Sequence, residues 1–151
     1  MKRCIAILFP ALLLAAEPAG FVYWSESELK GFEQKLRPKM NEGKLASQPL
    51  ADWGNHHAQV AHREADGEAE IHGTMADFFV VQSGEATLVV GGKLTGGKTT
   101  APNEIRGPKI EGGSKRKLVA GDVVHIPVKA PHQLLVEKGK QFTYFVIKVK
   151  E

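Results

Sequence analysis

Two separated segments of the chain join metal-ligating side chains to short apolar strands and glycine turns. The first runs from Glu70-Ile71-His72 through Asp77 to Gly84, the second from Gly121 through His125 and Pro127 to Pro131-His132. Glu70 and His72 are two positions apart, so on an extended strand both side chains leave the same face. Asp77 opens Asp-Phe-Phe-Val-Val-Gln, a strand that stops at Ser83-Gly84, and His132 heads Gln-Leu-Leu-Val. Imidazole nitrogens and carboxylate oxygens both bind divalent metals. Brought together inside a small β-structure, these four side chains would make a metal site.

The elements that must position them are mostly strands. Ser25 and Glu28 form a capping-box pattern flanked by Trp24 and Leu29 as a hydrophobic staple. Leu29, Phe32 and Leu36 follow at helical spacing until Pro38, which predicts one short amphipathic helix. A polar stretch, Asn41 to Pro49, links it onward. Ala58–Arg63 and Glu68–His72 flank Asp66-Gly67, a hairpin-turn dipeptide. Strands are expected again at Asp77–Gln82, Ala86–Val90, Lys117–Val119, Asp122–Ile126, His132–Val136 and Phe142–Val149. Gly91 to Gly113 holds seven of the 16 glycines, including three Gly-Gly pairs, and reads as one long loop, a lid or partner surface.

Length and composition bound the function. The 151 residues suit one domain with its own core. Lys2 and Arg3, the apolar run Cys4 to Leu14, then Ala15 and Ala16 read as an export signal. That run is shorter than the roughly 20 apolar residues of a membrane span. The expected division is a signal peptide over 1–16, with cleavage as late as Ala19 as an alternative, a helix and linker over 17–50, and a β-domain over 51–151. The mature chain would be periplasmic or secreted, without a stable membrane anchor. The formal charge of +3 falls to about +1 once Lys2 and Arg3 leave, and no basic-aromatic stripe is present, which argues against nucleic-acid binding. Cys4, the only cysteine, leaves with the signal, which removes disulfide and thiol chemistry.

The two segments resemble the motifs of the cupin superfamily, in its small single-domain form: all-β jelly-roll barrels, or double-stranded β-helices, that hold one central metal. The first cupin motif is a glycine, five residues, His-x-His, three or four residues, Glu, six residues and a glycine. Aligned on Gly84, its Glu position is Asp77 and its two His positions are Glu70 and His72. The second motif, a glycine, five residues, Pro-x-Gly, two residues, His, three residues and Asn, matches at Gly121, Pro127 and His132. The resemblance covers roughly Ala58 to Val149. It departs at Glu64, Glu70, Asp77, Lys129 and Val136, where cupins carry Gly, His, Glu, Gly and Asn.

What the resemblance implies is a divalent metal held by Glu70, His72 and His132, with Asp77 either a fourth ligand or a group that orients an imidazole through its other nitrogen. The alternatives are hydrogen-bonded interior histidines and a solvated strand glutamate. Two imidazoles and a carboxylate form the ligand set of many open Fe(II) sites, and Asp77 adds oxygen character that also suits Mn(II). Zn(II) and Ni(II) fit by ligand type. Phe79 and Val81 share the inward face of Asp77 and, with Leu134, would give a pocket apolar walls. Phe78 and Val80 face outward and need cover from a sheet, the helix or a second subunit, as in the homodimers common among cupins. His62 has two readings, pocket lining or surface, and His125 two, proton shuttle or wall packing. The expected function is an exported metal-binding cupin with a small-molecule pocket. No catalytic residue is legible, and oxygenase, isomerase and decarboxylase chemistry all fit such a site. The alternative is a module that binds a sugar or other small molecule without turnover.

Overall fold

A computed structural model of the chain describes residues 16–151. The signal segment expected over 1–16 therefore lies, except for Ala16, outside the described residues, as does Cys4. Among the described residues no helix is long and apolar enough to cross a membrane.

Helix α1 spans Glu26–Leu36 and begins as its sequence requires. Ser25 Oγ accepts from the Glu28 amide at 3.2 Å, while Glu28 Oε2 accepts from the Ser25 amide at 2.9 Å. Both halves of the capping box are present. A 3-10 turn over Arg37–Lys39, carrying Pro38, ends the helix. Phe32 and Leu36 are buried against Ala46, Ala58, Val60 and Phe145, with Trp24 and Leu29 at the margin of the same cluster. Glu33 also accepts a hydrogen bond from Ser83 Oγ at 2.6 Å, which ties the helix to the sheet.

Twelve strands follow: β1 Leu45–Asp52, β2 His56–Arg63, β3 Ala69–His72, β4 Met75–Val90, β5 Lys93–Thr95, β6 Lys98–Ala101, β7 Glu104–Gly107, β8 Lys109–Glu111, β9 Ser114–Val119, β10 Val123–Ile126, β11 His132–Leu135 and β12 Phe142–Lys150. The main sheet runs β1-β2-β12-β4-β11-β3-β7-β6, with β9 and β10 also pairing with β4, and β5 pairs with β8 apart from it. All the pairings are antiparallel. Its end strands, β1 and β6, do not pair with each other among the described residues, so the sheet curls without closing completely.

Strand β4 is the spine. The sequence predicts two strands here, and the structure has one of 16 residues. Residues Met75–Gly84 pair with β12, and Glu85–Val90 pair with β9. Between them Gly84 has φ +78°, and a Cβ there would stand 1.9 Å from the Gln141 carbonyl oxygen. Only glycine permits that bend. The inner face carries Phe79, Val81, Leu134, Phe142, Tyr144 and Val146 in one core cluster. On the outer face Val80 packs toward the helix-side cluster, while Phe78 stays 40% exposed.

Three local expectations are corrected. Asp66-Gly67 is not a hairpin turn: β2 pairs with β1 and β12, while β3 pairs with β7 and β11. The segment instead crosses between the two halves of the sheet, with the Asp66 carboxylate accepting from the Val136 amide at 2.8 Å. The second half of the polar stretch is strand β1, paired with β2 through a register shift between Pro49 and Ala51. Proline is tolerated at such an edge irregularity. Most consequential is the glycine-rich segment 91–113, which holds β5 to β8 rather than one long loop. Its glycines turn the chain between short strands, and β7 is laid against β3.

Candidate metal centre

Two ladders converge on β3. His132, the first residue of β11, lies opposite Glu70, while Arg106 and Glu104 of β7 lie opposite Glu70 and His72. Directly opposed residues of an antiparallel pair project to the same face. Asp77 enters from the start of β4 and is itself opposed by Lys148 of β12.

The ligand atoms are close. His72 Nε2 is 3.4 Å from Glu70 Oε2 and 3.5 Å from Asp77 Oδ2. His132 Nε2 is 3.7 Å and 3.6 Å from the same two oxygens. Glu70, His72 and His132 each offer an atom within 4.8 Å of the other two. Such spacings suit atoms that share one ion through bonds of about 2.0–2.3 Å.

The imidazoles are oriented for this. His132 Nδ1 donates to the Ala130 carbonyl at 3.0 Å, which leaves the lone pair on Nε2. That Nε2 is buried and has no hydrogen-bond partner among the described residues. A buried imidazole nitrogen left without a partner is costly unless something binds it. His72 Nδ1 donates to Glu104 Oε2 at 2.6 Å, so its Nε2 also faces the carboxylates. Arg106 Nη1 donates to Glu70 Oε1. Lys148 Nζ donates to Asp77 Oδ1 at 2.6 Å and stands 3.0 Å from His72 Nε2.

The charges fit the geometry. Burial would raise the Glu70 carboxyl, but its hydrogen bond with His72 and the charge of Arg106 outweigh it and hold Glu70 at about 2. Burial acts the same way on Asp77, and His72 and Lys148 together pull it below the usual carboxylate range. Burial opposes protonation of His72, yet Asp77 and Glu70 raise it to about 9. Burial pushes His132 down, toward the neutral, ligating form.

No family model matches the sequence, and no curated protein matches it. Solved structures do match the fold. A cupin 2 conserved barrel domain protein from Salinispora arenicola superposes with a TM-score of 0.50 at 18% identity, covering 72% of this chain and 78% of that one. A cupin superfamily protein from Desulfitobacterium hafniense gives 0.52 at 15% identity, covering 74% and 82%. The chain has the cupin fold. A conserved protein of unknown function from Streptococcus pyogenes extends the likeness to 90% of this chain and 91% of its own, with a TM-score of 0.55 at 14% identity.

Within the cupin sheet a cavity of about 240 Å³ opens beside the cluster. Glu70, Asp77 and His132 line it, with Phe79 and Leu134 as apolar wall, and Arg63, Arg106 and Lys148 as cations. Three residues expected at the pocket do not line it. Val81 shares the inward face but is packed in the core cluster. His62 is fully buried on the helix side of β2, its Nδ1 2.8 Å from Thr143 Oγ1. The neighbour two positions before it, Val60, packs under α1, and strand alternation sends His62 the same way. His125 is opposite Phe78 in the β4–β10 ladder and stacks on its ring at 4.6 Å, on the outside of the sheet. It cannot shuttle protons to this cavity.

Three neighbours of the cluster carry more weight here than their sequence context suggests. Glu104 and Arg106 fall in segment 91–113, whose glycines mask the strand that presents them. Lys148 had a signal that could have found it: Tyr144, Val146 and Lys148 alternate at the period of two that marks one face of β12.

Proposed function

We propose that the chain is an exported, metal-binding cupin, its curled sheet the double-stranded β-helix of that fold and its cavity a site for a small polar molecule. The observation that carries this reading is the buried Nε2 of His132, without a hydrogen-bond partner among the described residues and aimed at two carboxylates and a second imidazole. Glu70, His72, His132 and Asp77 would hold the ion. Two nitrogens, carboxylate oxygens and no thiolate favour Fe(II) or Mn(II), and also accept Zn(II) or Ni(II). A bound ion would act as a Lewis acid toward a ligand oxygen in the cavity. Export rests on the leader pattern of residues 1–16, and the homodimer on the exposed apolar side chains of Phe78 and Val123.

A second reading is a binding module without turnover. It is favoured by Lys148, whose ammonium already sits between Asp77 and His72 and supplies positive charge from within the chain.

The deciding test is elemental analysis of the mature protein, purified without chelator or a histidine tag, beside His72→Ala and His132→Ala. Near-stoichiometric metal, lost in both variants while they remain folded, supports the metal-binding reading. No metal, even after anaerobic incubation with excess Fe(II) or Mn(II), overturns it and leaves the binding module.

A further inference from the structure

Arg63 is the cation of this cavity wall that has no ion pair among the described residues, although the charges of Glu70 and Glu68 act on it from farther off. It ends β2, is 8% exposed, and lines the cavity with Glu70, Asp77 and His132. Its one side-chain hydrogen bond among the described residues runs from Nε to the Tyr144 hydroxyl at 3.2 Å. No carboxylate oxygen among the described residues comes within 4.0 Å of its guanidinium. The other two cations of the wall differ in this respect. Arg106 is paired with Glu70, and Lys148 with Asp77.

Gly67 and Tyr144 flank the guanidinium. A Cβ on Gly67 would fall 2.8 Å from Arg63 Nη1 and 2.9 Å from its Cζ, so the planar group lies directly over the glycine and would shift if a side chain stood there. Tyr144, which holds Nε, is itself buried and packs on Phe79 at 5.0 Å between ring centroids. A buried guanidinium that no carboxylate contacts leaves donors unused, and its planar fork matches a carboxylate in two-point fashion.

Charge balance points the same way. Arg63, Arg106 and Lys148 face Glu68, Glu70 and Asp77 around the cavity, three cations against three anions. A divalent ion would leave the loaded wall two charges positive, or one if Glu104 behind His72 is counted. An anionic ligand would restore balance.

We infer that Arg63 is the anion-recognition residue of this cavity and that its ligand is a small organic acid, carboxylate on Arg63 and a second oxygen toward Glu70, His72, Asp77 and His132. This role for Arg63 rests on the metal-binding reading of the site. The cavity, about 240 Å³, is below the roughly 300–1,000 Å³ of drug-sized sites, so the acid has few carbon atoms. Gln59, Ser47 and Gln133 give the wall further polar groups.

The test is titration calorimetry of full-length mature protein, Mn(II)-loaded and metal-free, with acetate, glycolate, malonate and succinate, each beside its uncharged amide. Metal content is measured on every sample. The expected result is that at least one acid binds the loaded protein tenfold or more tightly than its amide. Arg63→Met should abolish that preference while keeping wild-type metal content, and Arg63→Lys should retain part of it. Equal binding of every acid and its amide, or an unchanged preference in Arg63→Met, overturns the inference. Should Arg63→Met not fold, the wild-type preference and its reduction in Arg63→Lys decide. If wild type takes up no metal, the metal reading has failed alone. The acid preference is then measured on the metal-free protein, where its loss in the Arg63 variants supports the role of Arg63 and its persistence overturns it.

Discussion

Glu104 Oε2 accepts a hydrogen bond from His72 Nδ1 at 2.6 Å, across 32 residues of chain that the β3–β7 ladder folds back on itself. The carboxylate holds the ring so that Nε2 faces Glu70 and Asp77, and it makes that nitrogen a better donor to a metal.

Replacing it should therefore weaken metal binding without unfolding the protein. Glu104→Gln is expected to lose about 10–100-fold in affinity for Mn(II) or Fe(II). Competition with a fluorescent chelator measures this. An unchanged affinity would show that the β3–β7 ladder orients His72 by packing alone.

The pH dependence of the metal-free protein follows from His72. Its folded-state value of about 9 lies above its ordinary 6.5, so the folded form binds the extra proton. That contribution to stability is fully present below about pH 6.5 and is lost as pH rises through 9, a few kcal/mol at most. Glu70, held at about 2, works the other way: its contribution is present above 4.5 and lost as pH falls toward 2. Urea midpoints of chelator-treated protein should therefore fall between pH 6.5 and 9, and His72→Gln should flatten that fall. Metal binding should tighten over the same range, because the ion displaces the His72 proton.

Lys148 sets up the third expectation. Its ammonium is 3.0 Å from His72 Nε2 and bonded to Asp77 at 2.6 Å, so it repels an incoming cation and occupies one of its oxygens. Lys148→Met should bind divalent metal at least tenfold more tightly, since tenfold is about 1.4 kcal/mol and a nearby unit charge amounts to a few kcal/mol. Weaker binding would show that Lys148 serves chiefly to hold Asp77 in place.

At the bend of β4, Gly84→Ala should cost about 2–4 kcal/mol. The substitution meets both a positive φ and the Gln141 carbonyl, which is backbone and cannot rotate aside. Urea denaturation followed by circular dichroism reads the loss directly.

The helix was legible because its signals are local. Ser25, Glu28 and Pro38 act within a turn of the residues they cap or stop, so the sequence could place both ends of α1. Glycine-rich chain was harder. In 91–113 no residue run has the apolar alternation of a core strand, and β6 is exposed along its whole length. Of its strands only β7 pairs outside the segment, on the edge that β3 offers, while β6 pairs with β7 and β5 with β8. The Asp66-Gly67 turn failed for the converse reason. A turn dipeptide specifies a reversal of direction, but which strands then pair depends on whose edges are free.

The sequence by itself determined the ligand inventory and its local parity: Glu70 and His72 on one face of β3, Asp77 inward with Phe79, and His132 at the head of a strand. Side-chain alternation along a strand is a covalent consequence of the pleat, and needs no partner to be read. Only the tertiary structure decided what surrounds those ligands. The register of β7 on β3 brought Glu104 and Arg106 to them, that of β12 on β4 brought Lys148, and β2 carried Arg63 to the same cavity without an ion pair among the described residues. Register depends on hydrogen bonds between segments distant in the chain. A shift of one residue in any of those ladders would turn each of these charges to the opposite face.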